Sequence, residues 1–261
     1  MCIRDSYERE LALNGKIREG GAEFQFLTSL YRELEEKVDG IVTVSDSFKQ
    51  YLANYVQDSD RIIVIPNGFD EKRFKPVPHE NATSQLISVC RLIPAKGLDT
   101  LLHACSLLKQ NGHPFVLHLI GDGPIRADLE KLAVDLNIYE ETIFYGYMLH
   151  PEEFMPFFDI FVLPSRAEAF GSVFAEAALC LLALVGTDVG GIAEQIEDGR
   201  NGLLVPVGNA SALAHALEKL IVDPAFRYNL ARAGREKAKK TYSITRVITQ
   251  MTKLYELYRK A

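Results

Sequence analysis

A doubly wound α/β fold, in which helices cover both faces of a parallel sheet, is predicted by three features of this chain. From residue 86 onward, short apolar runs alternate with amphipathic stretches of helical period. The runs are almost unbroken, as expected of strands buried on both faces rather than on one. Short turns marked by glycine and proline join them, and this alternation is the pattern of βαβ crossovers.

Taken in order, Leu86-Ile-Ser-Val-Cys90 reads as the first strand of this unit, and Leu98, Leu101, Leu102, Cys105 and Leu108 share one face of the helix after it. Phe115-Val-Leu-His-Leu-Ile120 is the second strand; Gly121-Asp-Gly-Pro124 closes it and leads to a helix over 125–137. A short strand at Thr142-Ile-Phe144 follows, then a helix over 151–157 and a buried strand from Ile160 that ends at Pro164. Ser172, a good N-cap residue, is expected to start the next helix. Leu182 to Gly186 is another strand, Gly190-Gly191 turns into a short helix, and Leu203-Leu-Val205 is the last strand. Helices over 209–222, 224–239 and 244–259 finish the chain. The last carries Ile244, Val247, Ile248, Met251, Leu254, Tyr255 and Tyr258 as one stripe, which needs a surface on this unit or on a second domain.

The first 85 residues differ. They hold a helical stretch over 23–37, a strand at Gly40-Ile-Val-Thr-Val44, a helix from Ser47 and a strand at Arg61-Ile-Ile-Val-Ile65. One or two strands do not form a stable sheet alone, so this portion reads as the tail of another α/β domain. The predicted organisation is a remnant over 1–75, a linker over 76–85, the main sheet domain over 86–240 and a terminal amphipathic helix over 241–261. Met1-Cys-Ile-Arg-Asp-Ser6 fits no element and reads as an extraneous start.

With 261 residues the chain can hold one large core or two smaller ones, and its net charge of −6 speaks against nucleic acid as the main partner. No segment reaches the length of a membrane span; the most apolar stretch, Ala177 to Val185, is bounded by Glu176 and Asp188. Cys2, Cys90, Cys105 and Cys180 lack metal-ligand spacing and read as free thiols in a reducing compartment. A cytoplasmic location is therefore expected, with peripheral membrane attachment of a longer protein left open.

The stretch Glu168-Ala-Phe-Gly-Ser-Val-Phe-Ala-Glu176 is the richest in chemistry. Glu168 falls in the loop at a strand's carboxyl end and Glu176 about one turn into the following helix. In an open α/β sheet that edge is where ligands bind, and a helix N-terminus offers free N–H groups to an anion. The pair suits a polyol such as a sugar or ribose; a helix start with solvated acids is the alternative. Arg91 and Lys96, in the loop after the first main strand, bring two cations to the same edge, and they suit a diphosphate or are solvated surface charges. Gly121 belongs to a tight turn beside that crevice. Gly146, Tyr147 and Met148 either cup a base or form a turn with a half-buried aromatic. Asp58-Ser-Asp60 resembles a metal-binding pair of acids but reads as a solvated loop, and His118, inside a strand, as a satisfied core or interface histidine rather than a base.

These features stand in one order with Val44-Ser45, Pro66-Asn67-Gly68-Phe-Asp70, Phe74-Lys-Pro76, Arg126, Gly190-Gly-Ile192 and Glu194. From about residue 38 to the C-terminus the chain closely resembles the family-4 retaining glycosyltransferases, of the group 1 type. The resemblance implies a GT-B fold, two facing Rossmann-like domains, with the C-terminal domain complete here and only a remnant of the N-terminal one. It implies that Arg91 and Lys96 bind the donor diphosphate and that Glu176 holds the ribose hydroxyls. Glu168 would contact the donor sugar, Phe170, Gly171, Ser172 and Val173 would present backbone around sugar and phosphate, Gly146–Met148 would meet the base, and Gly121 would belong to the donor site. The implied reaction moves a hexosyl group from a nucleotide sugar to an acceptor hydroxyl with retention. No cofactor and no essential metal are expected. The acceptor, a glycan or lipid-linked species, would sit on the N-terminal domain, so a chain with only its remnant is expected to be poorly active alone. UDP, GDP and ADP donors are equally open, as is the oligomeric state. A GT-B sugar-nucleotide epimerase and a non-catalytic nucleotide-sugar binding module are the rival readings. Leu181 and Ala183 stand where the family usually carries glycine and proline, and a left-handed backbone at Leu181 would cost about 1 kcal/mol.

Overall fold

The computed structural model describes residue 12 and residues 18–259, so the expectation about Met1–Ser6 lies outside the described residues. Among these, helix α1 (Ala22–Glu35) leads into a small parallel sheet of β1 (Ile41–Thr43) and β2 (Ile62–Val64), joined through α2 (Asp46–Leu52). Ser45 starts α2 as its N-cap, its hydroxyl accepting from the Phe48 N–H at 3.1 Å.

The larger sheet contains β3 (Ser84–Val89), β4 (Phe115–Ile120), β5 (Thr142–Gly146), β6 (Ile160–Leu163), β7 (Ala183–Thr187) and β8 (Leu203–Val205). All its pairings are parallel and the order is β5-β4-β3-β6-β7-β8. Counted within the sheet, this is 3-2-1-4-5-6, the doubly wound order whose connections reverse direction between β3 and β6. Leu86 is in register with Leu117 on one side and Ile160 on the other, and all three are fully buried. Helices α3 (Leu98–Gln110), α4 (Arg126–Asp135), α5 (Ser172–Leu179), α6 (Gly190–Gln195), α7 (Ala210–Val222) and α8 (Pro224–Tyr242) wrap it. Phe161 and Phe174 meet edge to face at 5.0 Å between β6 and α5, both fully buried.

Two local expectations are corrected. The helix expected over 151–157 is instead two single 3-10 turns, Pro151–Glu153 and Met155–Phe157. Pro156 has no N–H to continue a helix, and its ring would press on the carbonyl one turn earlier. Ser172 is not the N-cap of α5; Gly171 is, at φ 79° and ψ 58°, a left-handed conformation that favours glycine. The Ser172 hydroxyl instead accepts from Asn67 Nδ2 at 3.0 Å.

The last helix, α9 (Ile244–Arg259), crosses to the smaller sheet. Ile244 and Val247 lie against Gly68, and Met251, Leu254 and Tyr258 share a groove with Val42 and Ile63. The junction before α9 is stitched by backbone: Phe69 N–H donates to Tyr242 O at 2.8 Å and Ile244 N–H to Phe69 O at 2.9 Å. His118 is buried as expected and hydrogen-bonded at both ring nitrogens, to Tyr145 Oη and Gln85 Oε1; burial pushes its pKa down to about 4.

Leu181 sits at φ 70° directly after α5. A Leu181→Gly change should relieve about 1–2 kcal/mol of left-handed strain. Partial loss of an apolar contact and the larger entropy of glycine in the unfolded chain offset that gain. Denaturant unfolding is therefore expected to show a change smaller than about 1 kcal/mol. A loss well above that would mean the backbone here is unstrained.

Candidate functional site

Because every strand of the larger sheet is parallel, the loops after β3, β4, β5, β6 and β7 all emerge at one edge. The crevice at such an edge opens where the connections reverse, between β3 and β6. The loop after β3 carries Arg91, which is exposed, and a 3-10 turn over Pro94–Lys96. The loop after β6 carries Glu168. The two loops meet in an ion pair, Lys96 Nζ to Glu168 Oε2 at 2.7 Å, with Ser165 Oγ at 3.3 Å from the same oxygen. Both charged side chains are largely shielded, 20% and 15% exposed.

Gly97 makes this approach feasible. Its φ of 66° is left-handed, and any Cβ there would overlap the Pro164 carbonyl oxygen across the crevice. Lys96 ends the 3-10 turn, and Gly97 is the N-cap of α3. On the β7 side, Gly191 N–H donates to Glu168 O at 3.1 Å, so the backbone of α6 fixes the loop that bears the carboxylate. Glu194 faces away. Its two oxygens accept from the N–H groups of Asp46 and Ser47 at 3.1 and 2.7 Å, at the N-terminus of α2.

Gly121 and Gly146 adjoin, Gly121 N–H donating to Gly146 O at 2.8 Å at the ends of β4 and β5. Beyond them Tyr147 is 76% exposed and Met148 is half-buried. The structure also places Phe170–Val173 at this edge, but with the Phe170 ring turned inward: it stacks on Phe69 at 6.3 Å and meets Tyr242 edge-on at 5.4 Å.

Glu176 opens into a cavity of about 520 Å³ beside Phe69, Asp70, Arg73, Leu149 and Glu152. Burial, and next the charge of Glu152, push its pKa up to about 7, while Arg73 works in the opposite direction. Glu152 is itself buried and gripped by Arg73, whose Nε and Nη2 lie 2.8 and 2.6 Å from Oε1. Burial acts to raise its pKa too, but hydrogen bonds from its own backbone, Arg73 and His150 hold it below the ordinary value.

The crevice thus gathers Arg91, Lys96, Glu168, Gly121, Gly146 and the Phe170–Val173 backbone, while Glu176 lies in the adjoining cavity. Sequence reading missed Arg73, Glu152, Ser165 and Arg166, which surround these groups. No motif marks them: the Arg73–Glu152 and Arg166–Asp99 pairs join residues 79 and 67 positions apart, and Ser165, three residues before Glu168, looks like an ordinary loop serine. Arg73 and Glu152 are visible in sequence only as single charges. Among the described residues, no cluster of three or more His, Cys, Asp or Glu side chains is placed to hold a metal ion. Nor is any helix there long and apolar enough to cross a membrane.

Comparison with known proteins identifies relatives of the chain. D-inositol 3-phosphate glycosyltransferase of Pseudarthrobacter chlorophenolicus is 33% identical over 81% of this chain and 55% of that protein. Alpha-D-kanosaminyltransferase of Streptomyces kanamyceticus is 32% identical over 65% of this chain and 45% of that protein. The chain spans about half the length of these two relatives. Among solved structures, HepE of Anabaena, in complex with UDP and glucose, superposes with a TM-score of 0.85 at 20% identity, over 98% of this chain and 71% of that one. The fold is accordingly α/β of the GT-B type. The family described as glycosyl transferases group 1 matches residues 69–238, the span that carries the Lys96–Glu168 pair, Glu176 and both arms of the crevice. On that match the chain belongs to the glycosyl transferases group 1 family.

Proposed function

We propose that this chain is the donor-binding part of a retaining glycosyltransferase, which moves a hexosyl group from a nucleotide diphosphate sugar to an acceptor hydroxyl. The observation that carries the reading is the Lys96–Glu168 pair at the switch point, with Arg91 beside it and Glu176 in the adjoining cavity. The sequence resemblance, the family match and the UDP held by HepE support it. Arg91 and Lys96 would hold the diphosphate, and Glu176 would accept hydrogen bonds from the ribose. Glu168 would meet the donor sugar, with the Phe170–Val173 backbone around it, and Gly121 with Gly146–Met148 would flank the nucleoside. In this reading residues 86–240 are the donor half, and those before residue 76 belong to the acceptor half, which would take a glycan or lipid-linked acceptor.

In the reaction the sugar's anomeric carbon parts from the phosphate oxygen, which keeps the bonding electrons. The acceptor oxygen bonds to that carbon and passes its proton to the departing diphosphate oxygen. Negative charge grows on the departing diphosphate, so fixed cations bind the transition state more tightly than the ground state. No metal is invoked in this role. The proposed location is the cytoplasm.

Calorimetric titration of the folded chain with UDP, GDP and ADP tests the reading. One of the three is expected to bind selectively, with a dissociation constant below about 1 mM, or about −4 kcal/mol. A folded sample that binds none of them at millimolar concentration would sink it.

A further inference from the structure

One residue outside the proposed donor contacts ties the two arms of the crevice together. Arg166 lies on the β6 side, two residues before Glu168. Its backbone N–H donates to the Ala95 carbonyl at 2.8 Å. One guanidinium nitrogen donates to the Pro94 carbonyl and the other to Asp99 Oδ2 at 2.6 Å. These acceptors bracket Lys96: two precede it in the Pro94–Lys96 turn, and Asp99 stands in the first turn of α3.

The Pro94–Lys96 segment is a single 3-10 turn. Its internal backbone bonds are Lys96 N–H to Ile93 O at 3.0 Å and Gly97 N–H to Pro94 O at 3.2 Å. A single 3-10 turn has poorer hydrogen-bond geometry than an α-helix, so while Glu168 holds the ammonium end of Lys96, the direction in which the side chain leaves the backbone depends on what holds the turn. The guanidinium is a planar fork, able to grip two acceptors at once in fixed geometry. Burial acts to raise the Asp99 carboxyl, yet the hydrogen bond and charge of Arg166 keep it below the ordinary aspartate value. This arm of the grip is therefore charged at neutral pH.

We propose that Arg166 is a positioning residue, which grips Pro94, Ala95 and Asp99 across the switch point and so fixes the turn that aims the Lys96 ammonium at the donor diphosphate. The inference rests on the donor-site reading of this crevice. Preorganisation of this kind lets a catalytic cation bind developing charge without first being ordered.

Two readouts test it separately. The first is the Lys96 ammonium signal in nitrogen-15 spectra, assigned by its loss in Lys96→Arg. It is expected to be sharp in the native chain and to broaden through fast exchange with water in Arg166→Met, which keeps the backbone N–H but not the fork. The second is calorimetric affinity for the preferred nucleoside diphosphate and for the corresponding nucleoside. Arg166→Met should weaken the diphosphate at least tenfold and leave the nucleoside within twofold; Arg166→Lys should recover only part of the loss. Asp99→Asn, which frees one arm alone, serves if Arg166→Met fails to fold, and is expected to broaden the same signal. An unmoved ammonium signal overturns the proposal, as does an equal loss of nucleoside and diphosphate, which would mark Arg166 as general support. Should the native chain bind no nucleotide, the donor reading falls on its own. The ammonium signal then decides whether Arg166 sets the position of Lys96: movement supports that, and an unchanged signal refutes it.

Discussion

Glu176→Gln is expected to stabilise the ligand-free protein at pH 8 and not at pH 4.5, while weakening nucleotide binding at least tenfold. The carboxyl of Glu176 has its pKa raised by burial from the ordinary 4.5 to about 7. A raised carboxyl pKa means the folded state holds more protons than the unfolded state between those two values, so stability falls as pH rises through that window. Below pH 4.5 the group is protonated in both states and costs nothing; above pH 7 the full cost of a buried charge is present. That cost is at most roughly 3 kcal/mol, and less after solvent screening of a partly exposed group. Glutamine removes it, so the difference between variant and native unfolding free energies should grow across the same interval. The price in function is a weaker acceptor, because an ionised carboxylate makes hydrogen bonds about twice as strong as a neutral group. For the same reason nucleotide affinity of the native chain should decline as pH falls below 7. Equal stabilisation by Glu176→Gln at both pH values would show that the group carries no buried charge.

Lys96→Met should cost about 1–3 kcal/mol of stability and weaken nucleoside diphosphate binding by ten- to a hundredfold. The stability loss comes from Glu168, left shielded with Ser165 Oγ at 3.3 Å as its remaining side-chain partner among the described residues. The binding loss reflects one missing charged hydrogen bond to phosphate, about 1.5–3 kcal/mol. The two effects separate in a double-mutant cycle with Glu168→Gln. The double variant should regain most of the stability, since no unpaired carboxylate remains, yet none of the diphosphate affinity. Recovery of affinity in the double variant would mean that Lys96 acts only by holding Glu168, and not on the phosphate.

The strands were legible because burial on both faces writes itself as an unbroken apolar run. Phe115–Ile120, Ile160–Leu163 and Leu203–Val205 begin and end where those runs do. The helices were legible by period; Asn209 and Asp223, not singled out in sequence, cap α7 and α8 by each accepting from an N–H three residues on, at 2.9 Å. Where two signals competed, reading failed. Apolar residues in Phe154–Phe158 mimic a helix, but Pro156 interrupts it and leaves single 3-10 turns. Ser172 looks like a cap, but the chain enters α5 through a left-handed turn that only Gly171 accommodates without strain.

For the site, the residue types and their spacing were open to inspection: Arg91, Lys96, Glu168 and Glu176 fall after predicted strands, and a parallel sheet must bring such loops to one edge. That much follows from order along the chain. The pairing of Lys96 with Glu168, the grip of Arg166 on the turn before α3 and the burial of Glu176 beside Glu152 do not. Each depends on how near two loops from non-adjacent segments approach, and on how much water remains between them. Those are properties of the packed molecule, set by contacts such as Gly97 against Pro164, and local sequence carries no record of them. The amino-acid sequence by itself determined which chemical groups reach the edge of the sheet. Tertiary structure decided which of them are paired, shielded or shifted, because electrostatic strength depends on distance and desolvation rather than on residue type.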